Sequence, residues 1–325
     1  MLIASGAVAV ARFVRERLLG APALIILCYH RITDTPFTVS ARCVSPSAFA
    51  EQLAHFGRRY DIWPLTHVAS YLRGKRTLRR DTLVLTVDDG YLDGFIEAAP
   101  VLEAQGVTAT FFVSAGPSLD GRPYWMDQLG EALGRLQEIA VDKAPPVIGH
   151  LLTEYTAAGA TGRTDLARQL VATLREMEES DREEVLRSLG RHDGWAGPPA
   201  MGRRELRDLA SRGHEIAAHG CSHAMLSALA EVRCREETVG CIALFRQAGF
   251  DVRSFAYPFG GAREIGAMAP RAVAEGGITL AVTTEGRAVR LSDDPLRLPR
   301  MVVSTQSLDL IAVRLEKLAW RATLW

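Results

Sequence analysis

The stretch Leu83–Tyr91 (LVLTVDDGY) decides the fold that this sequence predicts. It begins as a short apolar run rich in β-branched residues, which is typical of a buried strand in a parallel sheet. The run ends in two carboxylates, Asp88 and Asp89, followed by Gly90. Where a strand ends and the chain turns, neighbouring side chains can reach one pocket. Two carboxylates there should have different environments, so that one can bind a metal ion while the other accepts and releases protons. Taken alone, the same stretch also fits an ordinary turn, because Asp and Gly are common turn residues.

Composition and charge bound the class of protein. The chain has 325 residues, which is long enough for one large α/β domain or for one domain that carries a sizeable insertion. Hydrophobic residues make up 48% and charged residues 23%, as in an ordinary globular protein. Lys and Arg together number 38, as do Asp and Glu, so no net positive field favours a nucleic acid partner.

The cysteines and the first residues predict where the protein works. Five scattered cysteines without a CxxC pair argue against a disulfide framework and for a reducing compartment. The segment Met1–Ala11 is apolar but lacks the preceding positive charge of a secretory signal, which predicts an uncleaved, cytoplasmic start. No apolar run reaches the roughly 18 to 20 residues that span a bilayer.

Strand and helix patterns alternate along the chain, which predicts a parallel α/β architecture. Apolar strands are expected at Ala23–Tyr29, Leu83–Val87, Ala109–Val113 and Thr279–Thr283, with a helix over Ser45–Tyr60 capped by Ser45 or Ser47 and a second helix that begins at Asp93 as its N-cap. Residues 117–199 form a helical, charge-rich insertion, and Glu178–Glu184 is predicted to be a solvated helix face. Residues 1–22 and 304–325 are predicted to add a helix at each end of a domain that spans residues 23–303.

Two histidines supply further candidate metal ligands. His219 and His223 lie four residues apart after a strand-like segment, a spacing that lets two imidazoles converge on one ion. Alone this spacing is a weak signal, but Asp plus two His is a catalytic zinc set that leaves positions open for water. His214-Glu215 is only a near miss of a zinc-protease helix, because the following histidine comes one residue too late. His30 also ends a strand, where barrel active sites collect their residues, although a lone histidine can equally cap local backbone.

Together the segments Thr86–Tyr91 (TVDDGY) and Gly213–His223 (GHEIAAHGCSH) resemble the polysaccharide deacetylase family. This is carbohydrate esterase family 4, whose shared unit is the NodB homology domain of chitooligosaccharide deacetylases. The resemblance spans roughly Ala23–Val303, interrupted by the insertion. It implies a distorted (β/α) barrel of about seven strands and a metal-dependent N-deacetylase that acts on an N-acetylated glycan.

The resemblance also implies roles for single residues. Asp88 matches the catalytic base, while Asp89, His219 and His223 match the ligands of a divalent ion, with zinc favoured. In the implied reaction the metal polarises a water and the acyl carbonyl, and Asp88 takes the proton of the water. The segment Phe255–Gly260 (FAYPFG) matches a third motif, in which the backbone amide at Phe259 helps to stabilise the oxyanion.

Two departures from the family pattern lead to further hypotheses. Ala256 stands where many members carry an arginine that steadies the base, and Arg300 is our candidate replacement. No histidine follows His223, although many members use a late histidine as the general acid. The chain instead resembles the branch that includes bacterial poly-N-acetylglucosamine deacetylases, whose acid histidine follows the first strand, so His30 is our candidate acid.

The remaining predictions concern substrate and surroundings. Candidate substrate-binding residues are Tyr91, Trp125, Tyr257 and Phe259, although a buried Trp125 that packs the insertion down is an equal alternative. Cys221 is predicted to pack rather than bind metal, because the ligand set is complete without it. The basic terminal helices can touch a membrane surface, with packing of their apolar faces as the favoured explanation. Removal of another N-acyl group such as formyl, and a catalytically silent carbohydrate-binding relative, are the alternatives to the N-deacetylase. The glycan, the resident metal and the oligomeric state are not determined by the sequence.

Overall fold

A layer of parallel strands forms the centre of the molecule. The computed structural model describes residues 2–35, 42–135, 146–189, 198–304 and 307–323. The strands are β1 (Leu24–Tyr29), β2 (Arg31–Ile32), β3 (Cys43–Val44), β4 (Asp61–Trp63), β5 (Thr82–Val87), β6 (Thr110–Val113), β7 (Glu215–Ala218), β8 (Ser254–Ala256), β9 (Leu280–Val282) and β10 (Arg300–Val302).

Seven of these strands form a nearly closed barrel in the order β10-β1-β5-β6-β7-β8-β9. All neighbours pair in parallel, and β4 adds to the first half of β5. A parallel bridge between Val282 and Leu298 approaches closure between β9 and the chain that enters β10. The predicted distorted (β/α) barrel is therefore confirmed.

Helices surround the barrel, and a group of them forms the insertion. They are α1 (Leu2–Phe13), α2 (Pro46–Arg59), α3 (Thr66–Leu72), α4 (Ala99–Ala104), α5 (Ala115–Asp120), α6 (Trp125–Gly134), α7 (Pro146–Ala157), α8 (Ala160–Arg175), α9 (Glu179–Ser188), α10 (Arg203–Ser211), α11 (Glu231–Arg235), α12 (Cys241–Gln247), α13 (Ala262–Ile265), α14 (Met268–Glu275) and α15 (Leu308–Thr323).

Side-chain alternation separates the inside of the barrel from its outside. Leu24 and Ile26 of β1 join Val84, Phe112 and Ala256 of other strands in one buried cluster. The intervening residues of the same strands belong to a larger cluster shared with the surrounding helices. Because successive strand side chains point to opposite faces, the smaller cluster is the barrel interior and the larger one the barrel–helix layer.

Two helix starts differ in how their first turns are satisfied. The Ser45 hydroxyl accepts a hydrogen bond from the Ala48 N–H at 3.1 Å, so Ser45 rather than Ser47 caps α2. The prediction that the Asp93 side chain caps its helix was wrong. That carboxylate accepts instead from Arg31 Nε at 2.5 Å and from the Ile32 N–H at 3.0 Å, because a charged partner outcompetes a backbone amide.

The insertion has a hydrophobic core of its own. Helices α6 to α9 bury a cluster that includes Leu129, Leu152, Leu170 and Leu186. The predicted solvated face on Glu178–Glu184 needs one correction, since Arg182 in its centre is only 2% exposed. The predicted punctuation over Gly194–Pro199 lies mostly outside the described residues, and the predicted domain boundaries remain a prediction.

The first and last helices lie side by side on the barrel. The helical chain from Val8 to Leu19 continues past α1 as a wider turn over Val14–Leu18, from which Arg15 reaches Asp81 and Glu316. This buried group joins both helices to the start of β5. None of the described helices is long and apolar enough to cross a membrane.

Candidate active site

The side chains at the mouth of the barrel follow the alternation of its strands. Asp88 comes two residues after Thr86 and four after Val84, so it continues the inward-facing series of β5. His30 continues the corresponding series of β1, and His219 follows Ala217 of β7 in the same way. Short buried strands with inward polar ends thus bring these side chains to one place.

Asp89 is the next residue along the chain, so strand alternation alone would point its side chain away from the barrel interior. Its backbone conformation directs the side chain to the site instead. It has a φ of 73°, and His223 and Phe259 are the other two non-glycine residues of positive φ in the described chain. All three lie at this site, and such conformations persist where the surrounding structure determines them. Gly90 is needed here, because a Cβ on it would lie 2.0 Å from Cγ1 of Val113.

Asp89, His219 and His223 form a compact, buried group. Asp89 Oδ1 lies 3.4 Å from Nε2 of His219 and 3.4 Å from Nε2 of His223. Donor atoms around a tetrahedral zinc ion, with bonds of about 2.0–2.1 Å, are separated by roughly 3.3–3.4 Å. The three side chains therefore have the mutual spacing of ligands to one ion.

Hydrogen bonding at these side chains also fits a cation. His219 Nδ1 lies 2.7 Å from the Ala256 carbonyl oxygen, which can only accept, so Nδ1 carries a proton and the neutral form of His219 presents its lone pair at Nε2. Asp89 Oδ1 is buried without a hydrogen-bond partner among the described residues. Burial raises the pKa of Asp89, but the adjacent imidazoles of His219 and His223 outweigh it and hold that pKa well below its usual range. A cation between these lone pairs removes their mutual repulsion.

A second buried group adjoins the first and consists of Cys28, His30 and Asp88. Arg300 binds Asp88 in a bidentate ion pair, with Nη1 2.7 Å from Oδ1 and Nη2 2.7 Å from Oδ2. The same guanidinium donates to Thr86 Oγ1 and to the Thr283 carbonyl, each at 2.9 Å. Burial raises the pKa of Asp88, yet Arg300 and neighbouring histidines more than offset this, so the net pKa is lowered.

His30 carries no proton at Nε2 in this arrangement. Nη1 of Arg42 lies 3.0 Å from that nitrogen, and because a guanidinium can only donate, Nε2 accepts. Burial is the main reason that the pKa of His30 is lowered to about 4. Cys28 Sγ lies 3.3 Å from Asp88 Oδ2 and 3.8 Å from His30 Nδ1, between the two groups.

Aromatic side chains from the insertion and the third motif support the histidines. Trp125 is buried and donates from Nε1 to the His223 carbonyl at 3.2 Å, so it packs the insertion onto the metal-ligand loop. Phe259 packs edge-on against His223 with ring centroids 4.9 Å apart, and also contacts the insertion core. Tyr124 donates its hydroxyl to the Asp89 carbonyl. The insertion therefore braces two of the three candidate ligands.

The predicted substrate-binding residues divide into two kinds. Phe259 is half-buried at the site, whereas Tyr91 is buried and donates to Asp127 Oδ2 at 2.8 Å. Tyr257 is not part of the site. Its outward phase on β8 places the ring in the barrel–helix layer, where the hydroxyl donates to the Leu296 carbonyl at 2.9 Å. Cys221 packs against the same layer and is not among the grouped ligands.

Sequence reasoning missed several residues that shape the site. Cys28 and Thr86 have the inward phase of their strands, and that signal was available in the sequence. Arg42 and Glu237 carried no such signal, because they lie outside the barrel strands and strand alternation does not place them. Glu237 accepts from the backbone amides of Cys221 and Ser222 and so holds the loop between the two histidines.

Comparison with known proteins agrees with this geometry. Residues 169–275 match the family model described as polysaccharide deacetylase. The resemblance to polysaccharide deacetylases is confirmed. The matched span holds His219 and His223 as well as the third motif, but not Asp88 and Asp89. No curated protein matches the sequence significantly.

Solved structures share the fold at low sequence identity. The Streptococcus pyogenes deacetylase PplD, solved in complex with acetate, has a TM-score of 0.59 at 16% identity over 91% of this chain and 99% of that chain. IcaB from Ammonifex degensii has a TM-score of 0.58 at 19% identity over 91% and 98%. The BpsB deacetylase domain from Bordetella bronchiseptica has a TM-score of 0.53 at 15% identity over 86% and 96%. Nearly the whole length of each matches, so the likeness covers the complete barrel.

Proposed function

We propose that this chain is a metal-dependent hydrolase that removes N-acetyl groups from the sugars of an oligosaccharide, a polysaccharide or a lipid-linked precursor. One observation carries the proposal: two buried groups adjoin at the barrel mouth, one with the spacing of metal ligands and the other with a carboxylate clamped by Arg300. The polysaccharide deacetylase match and the deacetylases that share the fold support the same reaction class.

In this proposal Asp89, His219 and His223 hold a divalent ion. Two imidazoles and one carboxylate suit zinc, although other divalent ions accept the same donors. Such an ion supplies Lewis-acid chemistry, which activates a water and polarises a carbonyl. The deprotonated state of Asp89 and the Nδ1–H of His219 keep the donor atoms ready without rearrangement.

The chain's own residues carry the protons in this reaction. The oxygen of a water attacks the acetyl carbonyl carbon, and Asp88 accepts the proton that this water loses. The Phe259 N–H donates to the oxygen that becomes negative. When the carbon–nitrogen bond breaks, the leaving nitrogen takes a proton from His30, and the products are acetate and a free sugar amine.

The resting state of His30 determines the order of these transfers. A histidine whose pKa is about 4 and whose Nε2 accepts from Arg42 is neutral near pH 7. To act as the acid, His30 therefore takes up a second proton at Nε2 once Arg42 has left that nitrogen, from the proton that Asp88 has taken from water, and then gives a proton to the amine. Asp88, clamped by Arg300, holds its proton weakly and so suits this relay.

A catalytically silent relative is the less favoured alternative. Ala256 stands where many family members carry the arginine of the third motif. Arg300 instead binds the Asp88 carboxylate from β10, so the proposed base still has a cationic partner. A silent protein has no need of a buried ion pair, whose desolvation is costly. Removal of a formyl or another N-acyl group uses the same machinery and differs only in the substrate.

The test is acetate release from N-acetylglucosamine oligomers by metal-free protein, with and without added zinc. We expect zinc-dependent acetate release that disappears in Asp88→Asn and persists in the matched control Asp120→Asn, whose side chain is about half exposed. Tight zinc binding without acetate release would overturn N-deacetylation and direct the search to other N-acylated sugars. Failure to bind zinc at Asp89, His219 and His223 would overturn the metal-dependent reaction itself.

We also propose that the two terminal helices contact an anionic membrane surface. Val10 and Phe13 share one face of α1 and are 65% and 58% exposed. The adjoining α15 exposes Leu310 and Val313, and its exposed basic side chains include Lys317. Exposed apolar and basic side chains on paired helices are typical of an interfacial contact with anionic lipid.

Vesicle sedimentation tests this contact. We expect binding to phosphatidylglycerol-containing vesicles and little binding to pure phosphatidylcholine, with the double variant Val10→Ser, Phe13→Ser losing most of it. Val232→Ser removes an equally exposed apolar side chain from α11 and is the control. Equal sedimentation of both variants and the wild type would refute the membrane contact. The cytoplasmic location remains a prediction.

A further inference from the structure

A cavity separates the insertion from the loop that carries the metal-candidate histidines. Its volume is about 430 Å³. It is walled by the start of α5, by α6 and α9 of the insertion, and by Cys221 and Ser222. None of the proposed catalytic or metal-binding side chains lines it. A cavity of this size accommodates a small organic ligand.

Arg182 is the unexpected side chain in this wall. It is 2% exposed, and its guanidinium lies 5.0 Å from the ring centre of Trp125. Its one hydrogen bond to a described residue is long, 3.5 Å from Nη1 to the Met177 carbonyl. Within the described ranges no carboxylate oxygen lies within 4.0 Å of this guanidinium. A buried guanidinium has five donors, and most of those of Arg182 lack an acceptor here.

The nearest carboxylates are engaged elsewhere. Glu179 pairs with Arg233, and Glu237 accepts from the backbone amides of Cys221 and Ser222. Burial lowers the pKa of Arg182, and the charges of Glu179 and Glu237 only partly offset this. The positive charge of Arg182 is therefore left without a direct counterion in the described part of the chain.

Other groups in the wall also suit an anion. The Ser222 hydroxyl is buried without a hydrogen-bond partner among the described residues, and Ser222 is one of the residues that line the cavity. Arg187 adds a further guanidinium to the lining, and Arg122 adds one that is paired with Asp120 at 3.5 Å. Glu131 is paired with Arg135, while Glu183 remains as an opposing charge. Guanidiniums and a hydroxyl that converge on one space are the donors that bind a phosphate group.

We propose that this cavity binds a phosphate-bearing small molecule, whose phosphate oxygens accept from the Arg182 guanidinium and the Ser222 hydroxyl. A phosphate is favoured over a single carboxylate because several cationic groups surround the space and the phosphate carries the larger charge. The stack of Trp125 against Arg182 orients the guanidinium and keeps it dry, which strengthens its hydrogen bonds.

The cavity is linked to the candidate active site through one side chain. Trp125 contacts Arg182 on one side and donates to the His223 carbonyl on the other. A ligand at Arg182 therefore changes the surroundings of this indole, and its fluorescence reports binding. The proposal does not depend on the deacetylase reaction, because binding is measured without turnover.

The experiment is calorimetric titration of the zinc-loaded protein with inorganic phosphate and with glucose 1-phosphate, and with glucose as the neutral comparison. We expect both phosphates to bind with a change in tryptophan fluorescence, and glucose not to bind. Arg182→Met keeps an apolar side chain over Trp125 and should weaken phosphate binding at least tenfold. Ser222→Ala should weaken it severalfold, because the Glu237 bonds go to the backbone of that loop and survive.

The matched control is Arg168→Met on α8, which removes an exposed arginine from the same insertion and should leave binding unchanged. Arg182→Lys is made alongside and should lose affinity while it keeps the charge, since a lysine cannot make the bidentate contact. Thermal unfolding of each variant separates lost binding from lost folding. Phosphate binding that is equal in wild type and a folded Arg182→Met, or that is absent from the wild type, would overturn the proposal.

Discussion

The two buried groups at the barrel mouth are nearly equal in composition and opposite in character. Each combines a carboxylate with imidazole, and Asp88 of one group is the chain neighbour of Asp89 of the other. Asp89 faces Nε2 of both histidines and has an oxygen without a hydrogen-bond partner among the described residues, whereas both oxygens of Asp88 are engaged by Arg300. The difference teaches that the neighbouring cation, and not the ligand types, decides which group can accept a metal ion.

The same contrast holds for the histidines. His219 presents its free nitrogen to Asp89 because the Ala256 carbonyl holds its other proton. His30 has the corresponding nitrogen occupied by Arg42. Two arginines, Arg42 and Arg300, therefore occupy donor atoms of the second group that a metal ion would need, which is consistent with the proton-transfer role proposed for it.

Asp89→Asn makes the strongest test of this contrast. The amide cannot supply a charged oxygen to the ion, so we expect zinc affinity to fall by roughly 10³-fold or more, since loss of a mere supporting partner already costs about 10–100-fold. Zinc content after dialysis and competition with a chelator measure it. Asp88→Asn, one residue away, is the control and should keep its zinc. Loss of zinc in both variants alike would show that the two groups are one site.

Arg300→Met tests the clamp on the other carboxylate. Removal of the guanidinium leaves a buried Asp88 without a counterion, so the free energy of unfolding should fall by about 3 kcal/mol. Urea unfolding of the metal-free protein measures the change. Adding Asp88→Asn to Arg300→Met should recover part of the loss, because the unpaired charge is then gone. A double variant no more stable than Arg300→Met would show that the guanidinium acts through Thr86 and Thr283 instead.

His30→Gln tests the proton relay of the second group. Glutamine cannot pass a proton to the leaving amine, so kcat should fall by roughly 10²-fold while zinc binding is retained. Acetate release with N-acetylglucosamine oligomers measures it, and His150→Gln on the exposed side of α7 is the matched control. Turnover close to that of the wild type would remove His30 from the reaction.

The sequence predicted the barrel and most of its mouth because both obey a period of two. Asp88, His30 and His219 end short apolar strands, so strand phase and family resemblance agree on them. Tyr257 was a candidate substrate-binding residue, but the outward phase of its strand places it in the barrel–helix layer. Strand phase, had it been applied to every residue, would also have found Cys28 and Thr86.

Contacts between remote elements were beyond the sequence. Arg42 on His30, Glu237 under the histidine loop and Arg182 on Trp125 each depend on how a loop or the insertion packs on the barrel. The burial of Arg182 could not be predicted, because it lies within a charged run that has the pattern of a solvated helix face. The contact of Asp93 with Arg31 was also missed, because the position of Asp93 at the start of a helix predicted that it caps that helix.

Asp127 extends the comparison to a third carboxyl that lacks a cation at bonding distance. Its described hydrogen bond comes from the neutral Tyr91 hydroxyl, and burial raises its pKa to about 7, from an ordinary value of 3.8. The folded protein thus keeps a proton that the unfolded chain gives up between about pH 4 and pH 7. The stabilisation associated with this proton is present in full below pH 4 and is lost as the pH rises through 7.

Asp127→Asn should therefore stabilise the protein, and more so at high pH. The amide oxygen still accepts from Tyr91 but carries no charge, so the gain in unfolding free energy should be smallest at pH 4.5 and reach about 2 kcal/mol at pH 8. Thermal or urea unfolding of variant and wild type at both pH values measures this difference, with the exposed Asp120→Asn as a control that should show none. A gain that does not depend on pH would mean that Asp127 stays neutral from pH 4.5 to pH 8. Burial without a neighbouring cation would then shift the pKa of this carboxyl more than Arg300 and Arg42 shift the pKa values of Asp88 and His30.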